Sequence, residues 1–227
     1  MTGVVIRESA VEAIVFDMDG VIVESEHLWD EVRRGLARDH GRSWPDHATR
    51  VMQGMSTPEW SAYLSDTVGI GSPPAQVAEE VLARMADKYA AELPLIPGAV
   101  ETVRRLAEHW PLGLASSSSR SLIDIVLETA DISGAFAATV STEEVSAGKP
   151  SPVVYQAVAG LLGVSPERAV AIEDSSNGLR SAKAAGMLLI ALPNRDYPPA
   201  PEALALADAV AADIAEVTPK LVTSLLK

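Results

Sequence analysis

Ala13-Ile14-Val15-Phe16-Asp17-Met18-Asp19-Gly20-Val21 runs from four apolar residues straight into two carboxylates and a glycine. A short, wholly apolar run bounded in this way suits a strand buried on both faces, as in a parallel sheet covered by helices. Two acids two residues apart at a strand's end point the same way. Such a pair holds a hard, oxygen-seeking cation such as Mg²⁺, or divides the work, one acid attacking as a nucleophile while the other handles protons. Asp-x-Asp-Gly is also an ordinary turn. An EF-hand loop is excluded, because its glycine stands sixth and Gly20 would stand fourth.

Three further apolar runs lie downstream. Leu112-Gly113-Leu114-Ala115 leads into Ser116 to Ser119, Val170-Ala171-Ile172 leads into Glu173-Asp174, and Met187 to Leu192 ends at Pro193. Helical patterns separate them. Val100, Val103, Leu106 and Ala107 share one face, as do Leu122, Ile125, Val126 and Thr129. Ser151 is read as a cap with Pro152 first in the helix and Gly163 stopping it; Ser175 or Ser176 caps the next, and Thr218-Pro219 opens the last. The alternation predicts an α/β fold with a parallel sheet.

From Ser25 to Glu92 the pattern changes. Leu28, Val32 and Leu36 repeat every four residues; Thr57-Pro58 starts a second helix with Trp60, Leu64 and Val68; Gly69 to Pro74 is a turn cluster. Val77, Val81, Met85 and Tyr89 form a third stripe, and Leu93-Pro94-Leu95-Ile96-Pro97-Gly98 restores the earlier alternation. The expected organisation is an α/β core from residues 1–24 and 93–227, with residues 25–92 inserted as a helical cap.

Composition narrows the function. Hydrophobic residues make up 48%, enough for a sizeable core. No apolar run approaches the roughly 18–20 residues of a membrane span, and the opening MTGVVIRESAVEA does not read as a signal peptide. Without cysteine there is no disulfide, thiolate metal site or cysteine nucleophile, and a cytoplasmic location is expected. A net charge of −13 argues against nucleic acid and against an anionic membrane surface. An anionic substrate would need local positive charge at the site.

Three strand ends and one loop carry the candidate chemistry. The serines after Leu114-Ala115 form a strand-to-helix turn whose hydroxyls and free amides suit a phosphate, or a simple linker. Lys149, between Gly148 and Pro150, is either a surface lysine or a cation on a stiff loop, placed to neutralise a transferring group. Glu173-Asp174 suggests a metal, with Asp174 as an N-cap the alternative. Arg33, Arg34, Arg38 and Arg42 lie within ten residues; the plain reading is a solvated helix face, the sharper one a surface that draws anions to the cleft. His27, His40, His47 and His109 have no metal-ligand spacing.

FDMDGVIVESE, LASSSSR, AGKPSP and AIEDSSNGLRSAKAAG, in this order and spacing, resemble the haloacid dehalogenase superfamily, in the subgroup of β-phosphoglucomutase and small sugar-phosphate phosphatases. The resemblance runs from about residue 10 to 195. It implies a Rossmann-like core with an inserted helical cap, and Mg²⁺ as cofactor. Asp17 would be the nucleophile and Asp19 the general acid and base. Asp17, the Asp19 backbone carbonyl and Asp174 would hold the metal, with Glu173 assisting; Ser116, Ser117 and Lys149 would grip the phosphate. Cap-cleft contacts to substrate are expected from Glu24, His27, Trp29 and Thr57.

Two positions depart from the family pattern: Val153 follows Pro152 where an acid is common, and Glu24 replaces aspartate. The mutases carry a cap arginine soon after a Gly-x-Ser turn, and here Gly54-Met55-Ser56 is followed by Thr57. They also carry a histidine where this chain has Trp29. The expected function is a phosphatase acting on a small phosphorylated metabolite, as a monomer or weak homodimer. A phosphomutase and a catalytically idle metabolite-binding regulator are the alternatives.

Overall fold

The computed structural model describes residues 10–52 and 55–226. The reading of the opening residues and of Gly54 lies outside them. Six strands form one sheet: β1 (Ala13–Phe16), β2 (Leu112–Ser116), β3 (Phe136–Ser141), β4 (Ala169–Glu173), β5 (Leu188–Ala191) and β6 (Ala209–Val210). Their order is β3-β2-β1-β4-β5-β6 and every neighbouring pair is parallel.

Side-chain alternation divides the core into two layers. Ile14 and Phe16 of β1 point to the face covered by α5 (Ala99–Ala107) and α6 (Arg120–Thr129), where Val103, Leu106, Leu122 and Val126 are buried. Ala13 and Val15 point to the opposite face, against Val154, Tyr155 and Val158 of α7 (Val153–Leu162) and Leu179 of α8 (Ser176–Ala184). Two short helices, α9 (Pro201–Leu204) and α10 (Pro219–Ser224), complete the layers. Thr218 caps α10 through the Leu221 amide. Ser151 makes no cap: α7 starts at Val153, after Pro152, and Gly163 follows its end.

The chain runs from β1 outward to β2 and β3 and then crosses to β4, β5 and β6, so the order reverses between β1 and β4. In open α/β sheets ligands bind beyond the strand ends at such a point. Asp17, Ser116 and Asp174 stand at or just beyond the ends of β1, β2 and β4, so the topology alone gathers them.

The insertion between β1 and β2 is wholly helical among the described residues: α1 (Glu26–Asp39), α2 (Ala48–Met52), α3 (Thr57–Ala62) continued by a π-helical turn, and α4 (Pro74–Ala91). Val77, Val81, Met85 and Tyr89 of α4 are all buried, as the four-residue spacing predicts. Ser56 and Glu59 form a capping box at α3. The two connecting segments pair with each other, Glu24 N donating to Pro94 O (2.8 Å) and Ile96 N to Ile22 O (2.9 Å). Among the described residues, no helix is long and apolar enough to cross a membrane.

Candidate active site

Lys149 is 6% exposed and Asp17 5%. The lysine Nζ donates to Asp17 Oδ1 at 2.7 Å and to Glu173 Oε1 at 2.6 Å. Tyr155 adds its hydroxyl to the same Glu173 oxygen (3.0 Å) and its ring beneath the ammonium (5.1 Å). The other oxygen, Glu173 Oε2, accepts from the Asp174 amide, the Ser175 amide and the Ser175 hydroxyl. Both oxygens of Glu173 are therefore engaged, and this carboxylate fixes the lysine and the turn after β4. Ser175, not Asp174, caps α8 by accepting from the Gly178 amide. Asp174 is thereby released from the capping role that its position allowed.

Asp17, Glu173 and Asp174 place one oxygen each within 4.8 Å of one another, all three buried. Asp174 Oδ1 has no hydrogen-bond partner among the described residues. A buried, unpaired carboxylate oxygen is costly unless something cationic meets it. An all-oxygen set of this kind suits Mg²⁺, which takes one or two carboxylates and keeps several waters. Charge tells the same story, since one ammonium cannot neutralise three buried acids. Burial pushes the Asp17 carboxyl up to about 8, with Glu173 and Asp19 adding to the rise and Lys149 opposing it. Burial and the neighbouring Glu173 and Asp17 also hold Asp174 well above the usual carboxylate range. For Lys149 burial acts downward, but Asp17 and Glu173 outweigh it and its ammonium is harder to deprotonate than usual.

Asp19 is held separately. Ser25, at the start of the insertion, donates to Asp19 Oδ1, and Ser118 donates to Oδ2 at 2.7 Å. The four-serine turn is itself internally bonded: the Ser118 amide donates to Ser116 Oγ (3.0 Å), and Ser141 Oγ donates to the Ser118 carbonyl (2.7 Å).

A cavity of about 70 Å³ lies between sheet and insertion. The sheet contributes Asp17, Asp19, Ser117, Ser118, Lys149 and Asp174; the insertion contributes Glu26, Trp29, Arg33, Met52, Met55 and Trp60. The insertion is seated against the core here: a Cβ built on Gly148 would sit 3.4 Å from the Ser56 Cβ.

A family model for haloacid dehalogenase-like hydrolases matches residues 11–186. The chain belongs to this family. Among curated relatives, it is 36% identical over 220 residues to hexitol phosphatase B of Escherichia coli, covering 92% of this chain and 95% of that one. It is 32% identical over 210 residues to validoxylamine A 7'-phosphate phosphatase of Streptomyces hygroscopicus subsp. limoneus, covering 89% and 94%. Among solved structures, a β-phosphoglucomutase from Clostridium difficile superposes with a TM-score of 0.81 at 22% identity, over 95% of this chain and 97% of that one, which is a likeness of fold.

Within this haloacid dehalogenase-like hydrolase, Asp17, Asp19, Ser117, Lys149, Asp174 and Trp29 share the cavity as the sequence reading expects. Ser116 is adjacent but fully buried, its hydroxyl spent on the Ser118 amide. Three cap expectations fall elsewhere. Glu24 accepts from the Asn194 side chain at 3.2 and 3.3 Å and does not line the cavity. His27 is exposed, as are the other three histidines; it is about 100° around α1 from Glu26. Thr57 is buried beside Pro58, Pro74 and Ala78 and does not line this cavity.

The reading of the arginine cluster as a solvated face holds for Arg34, Arg38 and Arg42, which are exposed. It fails for Arg33, which is 7% exposed and reaches the cavity. Glu26 and Trp60 stand outside every sequence expectation for the cleft, whereas Arg33 falls under the anion-drawing reading of its cluster and Ser118 under the phosphate reading of the serine turn. For Glu26 and Arg33 a signal existed: with Trp29 they recur at i, i+3 and i+7, one stripe of a helix.

Proposed function

We propose that this hydrolase is a Mg²⁺-dependent phosphatase that acts on a small phosphorylated metabolite, a sugar phosphate, through an aspartyl phosphate on Asp17. The observation that carries the reading is the position of Asp17: its carboxylate lies against the Lys149 ammonium at 2.7 Å and in the same buried cluster as the unpartnered Asp174 oxygen.

Asp17 attacks phosphorus and the ester bond breaks, while Asp19 gives a proton to the departing oxygen. Asp19 then takes a proton from water, which attacks the aspartyl phosphate, releases inorganic phosphate and restores the Asp17 carboxylate. Ser25 and Ser118 fix the Asp19 carboxylate for both transfers. Lys149 offsets the charge of an anion attacking an anion. The Ser117 hydroxyl and amide face the phosphate, and Ser116 holds the turn in shape through the Ser118 amide. Mg²⁺ would be held by Asp17, Asp174 and the Asp19 backbone carbonyl, and supplies positive charge to the phosphoryl oxygens. Glu173 acts as the anchor of Lys149 and Asp174 and not as a ligand. Residues 25–92 act as a cap that excludes bulk water.

The two phosphatase relatives support a phosphorylated sugar or sugar alcohol as substrate. The absence of cysteine fits work in the cytoplasm, and we propose a monomer or weak homodimer. The test is phosphate release from a panel of phosphorylated sugars, sugar alcohols, nucleotides and short acids with Mg²⁺, repeated in excess chelator. Release that persists in chelator removes the metal from the mechanism, and no release from any ester removes the phosphatase.

One observation favours the mutase reading: Arg33 puts a cation on the cap wall, where a second phosphate would need one. Glu26 lines the same wall and repels such a group. Incubation with β-glucose 1-phosphate and a trace of glucose 1,6-bisphosphate separates the two, since the phosphatase accumulates inorganic phosphate and a mutase glucose 6-phosphate.

A further inference from the structure

Helix α1 presents Glu26, Trp29 and Arg33 to the cleft along one stripe. The Arg33 guanidinium carbon lies 4.6 Å from the ring centre of Trp29 and 5.1 Å from that of Trp60. Two indoles therefore flank the guanidinium, as cation–π contacts do. Its hydrogen-bond donors lie in the plane of the group, and Nε has no acceptor among the described residues. Burial lowers its pKa to about 10, against the pull of Glu26 and Asp19. Glu26, two turns nearer the N-terminus, is half-buried on the same wall. Side chains on a helix lean toward its N-terminus, so Arg33 leans toward Glu26. A buried donor without an acceptor costs free energy in the folded chain, and that cost is recovered when a ligand supplies the acceptor.

We propose that Arg33 and Glu26 are the specificity-determining pair of the cleft, reading neighbouring hydroxyls on the carbon skeleton of a phosphate monoester. Arg33 donates to one hydroxyl oxygen and Glu26 accepts from a hydroxyl proton. The inference rests on the phosphatase reading of the site. Hydroxyl is the group that satisfies both residues, since it accepts and donates. A second anionic group would suit Arg33 and be repelled by Glu26. An apolar skeleton would leave both polar groups buried and unpaired, the situation that gives sites of this kind their largest discrimination. Trp29 and Trp60 set the guanidinium in place and are positioning residues.

The test is kcat/KM, with Mg²⁺, for glucitol 6-phosphate, hexyl phosphate and fructose 1,6-bisphosphate. Wild type prefers the hydroxylated monoester over hexyl phosphate by about 10²-fold or more. Arg33→Met and Glu26→Gln each lower that preference at least about tenfold, mainly through KM, and Arg33→Lys retains part of it because charge survives and the planar fork does not. Glu26→Gln also raises relative activity on the bisphosphate. If Arg33→Met, folded by circular dichroism, slows both monoesters by one common factor, its role is structural and the proposal is wrong. Should Arg33→Met not fold, the near-isosteric Glu26→Gln decides, and an unchanged preference overturns the pair. Faster hydrolysis of the bisphosphate than of the monoester by wild type overturns it as well. If wild type releases phosphate from none of the three nor from an aryl phosphate, the phosphatase reading itself fails.

Discussion

A Cβ built on Gly20 would lie 2.0 Å from Oδ2 of Asp174. Gly20 also has φ +82°, a conformation that costs a side chain dearly. The glycine of the Asp-x-Asp-Gly string is thus the floor on which the buried acid rests. Gly20→Ala should displace Asp174, weaken Mg²⁺ binding at least tenfold and abolish turnover, with the sheet retained. Titration calorimetry and circular dichroism check this, and unaltered Mg²⁺ affinity would remove Asp174 from the metal site.

Asp17→Asn should be inactive yet folded, because the amide keeps the shape and loses the attacking charge. In the metal-free protein it should be no less stable at neutral pH, since burial already pushes the Asp17 carboxyl up to about 8. Asp19→Asn should lose about 10²–10⁴-fold in turnover through proton transfer. Phosphate release and thermal melts report both, and near-normal turnover by Asp17→Asn would disprove the nucleophile.

Lys149→Ala leaves the buried Glu173 carboxylate without its counter-charge and Asp17 without its donor, a loss worth about 3–5 kcal/mol. A fall in Tm of roughly 10 °C follows, together with loss of activity. Lys220→Ala, at an exposed position, should change neither. Equal effects at the two sites would return Lys149 to the plain surface reading.

Burial pushes the Glu26 carboxyl up to about 7, Arg33 opposing and Asp19, Glu24 and Asp30 adding to the rise. A carboxyl raised in the folded state holds its proton more tightly there than in the unfolded chain. Its contribution to stability is complete below its ordinary value of 4.5 and is lost as pH climbs through about 7. Glu26→Gln does not ionise, so its Tm relative to wild type should rise between about pH 5 and pH 8. A difference that stays flat over that range would mean Glu26 titrates normally.

The four inner strands were legible because burial on both faces leaves continuous apolar runs. The two missed strands are the sheet's edges. β3 reads Phe136-Ala137-Ala138-Thr139-Val140-Ser141, with Ala137 exposed, and β6 has two residues. Alanine gives little strand signal. The candidate acids were legible because chemistry at strand ends follows from topology, and Lys149 because Gly148 and Pro150 bracket it on a loop. The cap wall was not, because Leu28, Val32 and Leu36 already explained α1 as amphipathic. That left Arg33 on the polar side, although Trp29 one turn before it marks a second buried stripe. The expectation for His27 fails because the helical rotation of α1 turns it outward.

Glu24 and Ile22 pair with Pro94 and Ile96, so the polypeptide leaves the sheet and returns to it at one spot. The excursion between is a closed circuit, and the gap its ends must bridge is the width of two paired strands, roughly 5 Å. Any folded segment with ends so spaced fits the same socket without reordering a strand. Exchanging the excursion beyond Ser25, whose hydroxyl holds Asp19, should therefore transplant selectivity, and a graft from a relative should carry its donor's preference with it.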